Sequence, residues 1–338
     1  MRTRRLAVEQ YISGVLQGDL ATLARTITVV ESDLPSDGEL AAEILDSLLP
    51  HTGKSRRIGI TGAPGVGKST FIDKIGLHII RDRGEKLAVL SVDPSSPITG
   101  GSILGDKTRM ERLAAEPHAF IRPSPSRGSS GGVAGRTRET ILVCEAAGFN
   151  NVLVETVGVG QSEIAVRTMT DFLLLLLLPG AGDQLQGIKR GILELVDAIA
   201  INKADGEQLT RAQLAKEDYQ SALHLFAPGA GGWNPPVMLS SANAGAGIRE
   251  IWECILRHEQ FQSENGLRVE MRKEQSLSAM RQMISAELET AFRQDPAVRG
   301  KLRQVEAQVR DGRMTSFAGA KVLLGEFWRG VAEKKDTI

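Results

Sequence analysis

Gly62-Ala-Pro-Gly-Val-Gly67-Lys68-Ser69-Thr70 lies between the apolar run Arg57-Ile-Gly-Ile-Thr61 and the run Phe71-Ile-Asp-Lys-Ile75. The spacing G-x-x-x-x-G-K-[ST], entered from one apolar run and left through another, predicts a buried strand, a tight loop and a helix. In such a loop, formed here by Gly62, Ala63, Pro64, Gly65, Val66, Gly67, Lys68, Ser69 and Thr70, successive backbone N–H groups converge on α- and β-phosphates. Lys68 is expected to reach the β/γ oxygens and Ser69 to offer its hydroxyl to Mg²⁺. The loop therefore predicts a nucleoside triphosphate and a magnesium ion.

The strand before this loop is one of seven short apolar runs: Ile58–Thr61, Leu87–Val92, Ala119–Arg122, Val152–Val154, Phe172–Leu178, Ala198–Ile201 and Val237–Leu239. They are continuous rather than alternating, and the segments between them are long enough for helices. That pattern indicates an α/β fold of the P-loop NTPase type with a mostly parallel, doubly wound sheet. In such sheets ligands bind outside the carboxyl ends of the strands, where each motif discussed below falls. Phe172-Leu-Leu-Leu-Leu-Leu-Leu178 is far short of the ~20 residues that span a bilayer as a helix, and reads as a strand buried on both faces.

Residues 1–50 form an N-terminal helical extension, with Leu20, Leu23, Ile27, Val30, Leu40, Ile44 and Leu48 at helical spacing and Asp19 and Ser36-Asp37 as candidate caps. The nucleotide domain is expected over 51–262. Residues 263–338 carry no strand signal, and their apolar positions, among them Leu277, Met280, Leu288, Phe292, Val305, Val309, Phe317 and Trp328, recur at helical spacing. Such a stripe serves either packing on the chain's own domain or a dimerisation arm. Ser124-Pro-Ser-Arg-Gly-Ser-Ser-Gly-Gly-Val-Ala-Gly135 is the one low-complexity segment and reads as a loop or linker.

Hydrophobic residues make up 41% of the 338 positions, enough for a sizeable core, and 41 basic residues balance 41 acidic ones. That balance gives no global field toward nucleic acid or anionic membrane, so protein and small-molecule partners are expected. Cys144 and Cys254 lack any paired spacing and read as small buried hydrophobes. Met1-Arg-Thr-Arg-Arg5 leads into an amphipathic pattern rather than a signal segment, which makes a cytoplasmic location the expectation.

Asn202-Lys203-Ala204-Asp205 follows the apolar strand Asp197-Ala-Ile-Ala-Ile201, the position of the guanine-reading N-K-x-D loop of GTPases. The Asp205 carboxylate would accept from guanine N1–H and the 2-amino group, whereas adenine would leave that charge unpaired, a penalty that discriminates by up to ~10⁴-fold. Lys203 would lie along the base and Asn202 would brace the loop. Ser240-Ser241-Ala242, after Pro236-Val-Met-Leu239, matches the further base-contacting loop.

Magnesium takes hard oxygen ligands. Besides Ser69, three carboxylates lie at strand ends or in glycine-rich loops: Asp93, Asp106 and Glu155. Glu155-Thr-Val-Gly158 occupies the place of the Asp-x-x-Gly switch whose glycine N–H senses the γ-phosphate. Gln161 is a candidate to orient the attacking water, and Arg109 or Lys189 to spread transition-state charge, surface ion pairing being the alternative for both cations. Gly100-Gly101 would hinge the loop carrying Asp106 and Arg109. The glycine-rich stretch Pro179–Gly191, containing Asp183, Gln186 and Lys189, is either a relay to a partner or a flexible connection.

Taken together, Gly62–Thr70, Val92–Ser96, Gly100–Met110, Val154–Ser162, Asp183–Lys189 and Asn202–Asp205 resemble the methylmalonyl-CoA mutase-associated GTPases (MeaB/ArgK-like) over nearly the whole chain. The resemblance implies GTP hydrolysis in a G-protein chaperone that gates adenosylcobalamin loading and protects an adenosylcobalamin-dependent acyl-CoA mutase, with hydrolysis slow alone and faster with the mutase. It assigns metal and switch roles to Ser69, Asp93, Asp106 and Glu155, and a third switch to the loop around Asp183, Gln186 and Lys189. It also implies a homodimer through the C-terminal helices, although from Arg268 onward the match is one of character only. Two alternatives are a metal-insertion GTPase and a kinase of a periplasmic amino-acid transport system, an older name for some relatives. The first is disfavoured because none of the five histidines pairs with a cysteine or another histidine at ligand spacing.

Overall fold

The computed structural model describes residues 5–32, 34–92, 110–124, 132–156, 162–180, 190–224 and 230–335. All seven expected strands are present: β1 (Arg56–Gly62), β2 (Leu87–Val92), β3 (Ala119–Ser124), β4 (Asn151–Thr156), β5 (Phe172–Leu177), β6 (Ala198–Ile201) and β7 (Val237–Leu239). They form one sheet in the order β3-β2-β4-β1-β5-β6-β7. Every neighbouring pair is parallel; Ile58 of β1, for example, lies opposite Leu153 of β4 and Phe172 of β5.

The leucine run explains itself in this setting. β5 sits inside the sheet, so both its faces are covered: Leu173, Leu175 and Leu177 join one core, while Phe172, Leu174 and Leu176 join the other. Full burial on both sides removes the polar alternation of a half-exposed strand. The helices are α1 (Val8–Leu16), α2 (Leu20–Val30), α3 (Pro35–Leu48), α4 (Lys68–Leu77), α5 (Glu111–Ala114), α6 (Gly132–Ala146), α7 (Ser162–Arg167), α8 (Arg190–Leu193), α9 (Leu209–Leu223), α10 (Ile248–Glu264), α11 (Leu267–Gln294), α12 (Pro296–Arg310) and α13 (Ser316–Lys335).

The N-terminal helices cover the first core with Tyr11, Val15, Leu23, Ile27, Ile44 and Leu48. Asp19 caps α2, accepting from Thr22 N at 2.9 Å. Ser36-Asp37 does not cap α3: Pro35 opens that helix, since its fixed φ and missing N–H suit the first turn. Asp37 instead accepts from Ser32 Oγ at 2.6 Å and pairs with Arg5 at 2.6 Å. The low-complexity segment also ends earlier than its composition suggests, because Gly132–Gly135 already belong to α6. Cys144 and Cys254 are free and buried, and burial pushes the Cys254 thiol up to about 11.

At the amino edge of the sheet, charges are matched to one another. The Arg57 guanidinium meets Glu145 through two 2.8 Å hydrogen bonds, and Glu145 also accepts from Gly53 N and Ser55 Oγ. Arg272, on the first turns of α11, forks onto Asp171 at 2.8 and 2.6 Å and reaches the carbonyls of Gly53 and Ser55. Arg268 joins Glu259 to Ser55 O.

Contacts divide the chain into two units, with Ala279 the last residue of the first. In the second, Asp295 caps α12 through Ala297 N and Val298 N, and α12 lies against α13. Phe292 and Phe327 meet edge to face at 5.5 Å, Val298 and Val305 are buried, and Lys301 pairs with Glu326 at 2.8 Å. Met280, Met283, Ile284, Leu288, Phe317 and Trp328 are exposed on this unit. Among the described residues no helix is long and apolar enough to cross a membrane.

Candidate functional site

The loop after β1 is shaped by three glycines in left-handed or related backbone: Gly62 (φ 151°), Gly65 (φ 79°) and Gly67 (φ 95°). Crowding adds to conformation at two of them. A Cβ on Gly62 would fall 2.5 Å from Leu176 O, and one on Gly67 2.9 Å from Asn202 Nδ2. Gly67 then serves as N-cap of α4, so Lys68, Ser69 and Thr70 form its first turn with their N–H groups facing back over the loop.

Lys68 is buried and its ammonium donates to Gly62 O at 2.7 Å and Ala63 O at 3.2 Å. Burial pulls its pKa below the ordinary lysine value, against the attraction of Glu155 and Glu163. Ser69 Oγ lies 3.3 Å from Glu155 Oε1, which brings two hard oxygen donors together beside the loop. Thr61 and Thr156 hydroxyls, 2.9 Å apart, tie the ends of β1 and β4 beneath them.

Asn202 joins three loops. Its Nδ2 donates to Val66 O at 2.8 Å, while its Oδ1 accepts from Ala242 N at 3.2 Å and Ser240 Oγ at 3.3 Å. Lys203 stands in left-handed backbone (φ 59°), rare for a side-chain residue, and its Nζ donates to Gly65 O at 3.0 Å. Ser241 Oγ donates to the Asp205 carboxylate, and Ala204 N donates to Ser240 O at 2.9 Å. Gly247, left-handed at the start of α10, permits this close turn, because a Cβ there would meet Leu239 O at 2.1 Å.

The structure thus brings Gly62–Thr70, Glu155, Asn202, Lys203, Asp205 and Ser240–Ala242 to one carboxyl edge. Asp93, Asp106, Arg109, Gly158, Gln161, Asp183, Gln186 and Lys189 lie outside the described residues. Two participants escaped the sequence reading. Glu163, buried on α7, acts electrostatically on Lys68, and its place one residue into a helix start gave no motif. The Thr61–Thr156 bridge, spanning 95 positions, becomes visible only once β1 and β4 pair.

A phosphate loop of this geometry on a seven-stranded parallel sheet, with an Asn-Lys-x-Asp loop two strands away, defines the class as P-loop GTPase. Residues 23–297 match the family described as "Methylmalonyl Co-A mutase-associated GTPase MeaB". The chain belongs to that family and is a GTP hydrolase. It is 47% identical over 272 residues to "GTPase ArgK" of Escherichia coli, covering 80% of this chain and 82% of that protein. It is 40% identical over 330 residues to "Methylmalonic aciduria type A homolog, mitochondrial" of Mus musculus, covering 95% and 79%. Among solved structures, that of a protein named as an LAO/AO transport system kinase superposes with a TM-score of 0.77 at 36% identity, covering 97% of this chain and 100% of that one.

Proposed function

We propose that this GTPase acts as a G-protein chaperone of an adenosylcobalamin-dependent acyl-CoA mutase, gating cofactor loading and protecting the mutase, with its nucleotide state as the signal. The observation that carries the nucleotide reading is Asn202, which holds the phosphate loop at Val66 and the third loop at Ala242 at once. Phosphate and base loops are therefore one cradle, and a nucleotide bound to one is presented to the other. Asp205, steadied by Ser241, accepts from guanine, and Lys203, fixed over Gly65, flanks the base. Gly62–Thr70 surround the phosphates, and Lys68 exchanges its carbonyl partners for β/γ oxygens.

The oxygens of Ser69 and Glu155 fit magnesium, a hard cation, and Asp93 and Asp106 would complete or second its shell through water. Magnesium, when bound, neutralises charge developing between β- and γ-phosphates. Gly158 senses the γ-phosphate, Gln161 orients the water, and Arg109 or Lys189 stabilises the departing charge. The loop with Asp183, Gln186 and Lys189 relays the outcome to the partner.

The family description and the mouse relative's name support the mutase as client. The exposed apolar positions of the second unit support a homodimer, and we propose a cytoplasmic location. Co-purification with candidate mutases tests the reading: complex formation should differ between GDP and a non-hydrolysable GTP analogue, and phosphate release should rise on adding the mutase. A client that neither binds nor stimulates would remove the chaperone role. The name of the solved relative favours one other reading, a transport-system kinase, which would instead transfer radiolabel from γ-labelled GTP to a protein acceptor.

A further inference from the structure

The helix α7 (Ser162–Arg167) follows directly on the segment 155–161 and ends in the turn Thr168–Asp171, which leads into β5. That turn contains no glycine and no left-handed residue, so the usual closure of a helix carboxyl end is absent. Its carbonyls are satisfied in another way. Ile164 O accepts from Thr168 N, Ala165 O from Thr168 Oγ1, and Val166 O from Met169 N and Thr170 Oγ1.

The remaining acceptors are closed by side chains from far along the chain. Gln275 Nε2, on α11 and still within the first unit, donates to Arg167 O at 3.2 Å and Thr170 O at 2.9 Å. Arg138 Nη2, on α6, donates to Thr168 O. On the opposite side, fully buried Val166 rests over Gly59 of β1, where a Cβ would fall 2.6 Å from Val166 Cγ1. The helix is fixed between a floor that only glycine permits and a cap made of Gln275 and Arg138.

Gln275 is only 8% exposed, yet among the described residues its buried Oε1 has no hydrogen-bond partner. Burying that acceptor unmet costs free energy, so what the side chain contributes at this place is its two N–H bonds to the end of α7. Its donor side is what the fold uses, and what it holds is the end of the helix tied by chain to Gly158 and Gln161.

We propose that Gln275, seconded by Arg138, is a positioning residue for GTP hydrolysis: by capping α7 it fixes the helix from which the γ-phosphate-sensing segment and its water-orienting Gln161 emerge. This rests on the switch reading of residues 155–161 given under the proposed function. Neither side chain touches the nucleotide; both act through the helix end.

The test uses the full-length protein. Gln275→Leu keeps bulk, and Gln275→Glu keeps shape and acceptor while removing both N–H donors. Each should lower kcat for phosphate release about tenfold and leave the GTP dissociation constant, read by calorimetry, within twofold. Amide hydrogen exchange at Thr168 and Met169 should quicken in both variants. Unchanged kcat overturns the proposal, as does a loss of GTP affinity parallel to the loss of rate, the mark of a merely structural role. Arg138→Gln, which opens Thr168 O, provides the same readout should the Gln275 variants fail to fold. Gln161→Ala is the control on the underlying reading. If it leaves hydrolysis intact, the switch assignment fails; if it slows hydrolysis while the Gln275 variants do not, only the capping role fails.

Discussion

At the carboxyl edge of the sheet, Lys68, Asn202 and Lys203 direct their donors at the carbonyls of Gly62, Ala63, Val66 and Gly65. At the amino edge, Arg57 and Arg272 direct theirs at the carboxylates of Glu145 and Asp171. The difference lies in how firmly each charge is matched. Lys68 is buried against neutral oxygens, and burial lowers its pKa, so the folded state bears a cost to keep an ammonium there. Asp171 and Glu145 are also buried, but their arginine partners more than offset burial, and both are held below ordinary carboxylate values. One edge is built to bind something else, and the other is already complete.

The sharpest way to break this contrast is to invert a donor-acceptor pattern at the binding edge. Asp205→Asn replaces an acceptor by a group that also donates where guanine donates. The GTP to xanthosine triphosphate preference should swing by on the order of 10⁴-fold, because a buried polar pair left unmatched is punished that heavily. Competition binding with both nucleotides reads it, and retained GTP selectivity would count against Asp205 as the base reader.

Next in size is a change at the completed edge. Arg57→Met leaves Glu145 buried without its guanidinium, a loss of about 3–5 kcal/mol in unfolding free energy. The urea midpoint should fall accordingly, while GTP affinity in the folded protein stays within twofold. A matching loss of affinity would show that the edges are not separable. Lys68→Met should do the opposite. Removal of one charge-assisted contact worth about 3 kcal/mol weakens GTP about 100-fold. The nucleotide-free protein should be no less stable than the parent, since methionine fills the space without the desolvated charge. Unchanged calorimetric affinity would sink the phosphate-loop assignment.

The two edges also differ in how they are written in the chain. The binding edge is local: Gly62–Thr70, Asn202–Asp205 and Ser240–Ala242 are short runs whose residue types follow from the chemistry of phosphate and guanine, so each is legible before any folding. All seven strands are legible for a related reason, since burial on both faces leaves continuous apolar runs. The amino edge joins Arg57 to Glu145 across 88 positions and Arg272 to Gly53 across 219. No motif records such pairs, because they exist only after β1, α6 and α11 meet. Where local signals compete, they also mislead. Ser36-Asp37 has the composition of a cap, yet Pro35 starts the helix and Asp37 turns to Arg5 and Ser32. Gly132–Gly135 has the composition of a linker, yet it opens α6.

The smallest expected effect is one of pH. Asp171 and Glu145 have ordinary values of 3.8 and 4.5; burial alone would raise them, but hydrogen bonds and charge from Arg272 and Arg57 respectively bring both below those values. A carboxylate lowered in the folded state contributes stability that is complete above its unfolded pKa and is lost as pH falls through its native one. Between pH 7 and 5 the contribution of this edge should therefore be nearly flat, and it should decline as pH falls past the ordinary value of 4.5 for Glu145 and then 3.8 for Asp171. Asp171→Asn removes one of the two titrating groups. The gap in unfolding free energy between parent and variant, measured by urea titration, should be constant down to about pH 5 and close progressively below pH 4. A gap that stays constant to the lowest pH at which the protein folds would assign the acid limb to other carboxylates, and would make Asp171 a packing group rather than a charge whose ionisation the fold depends on.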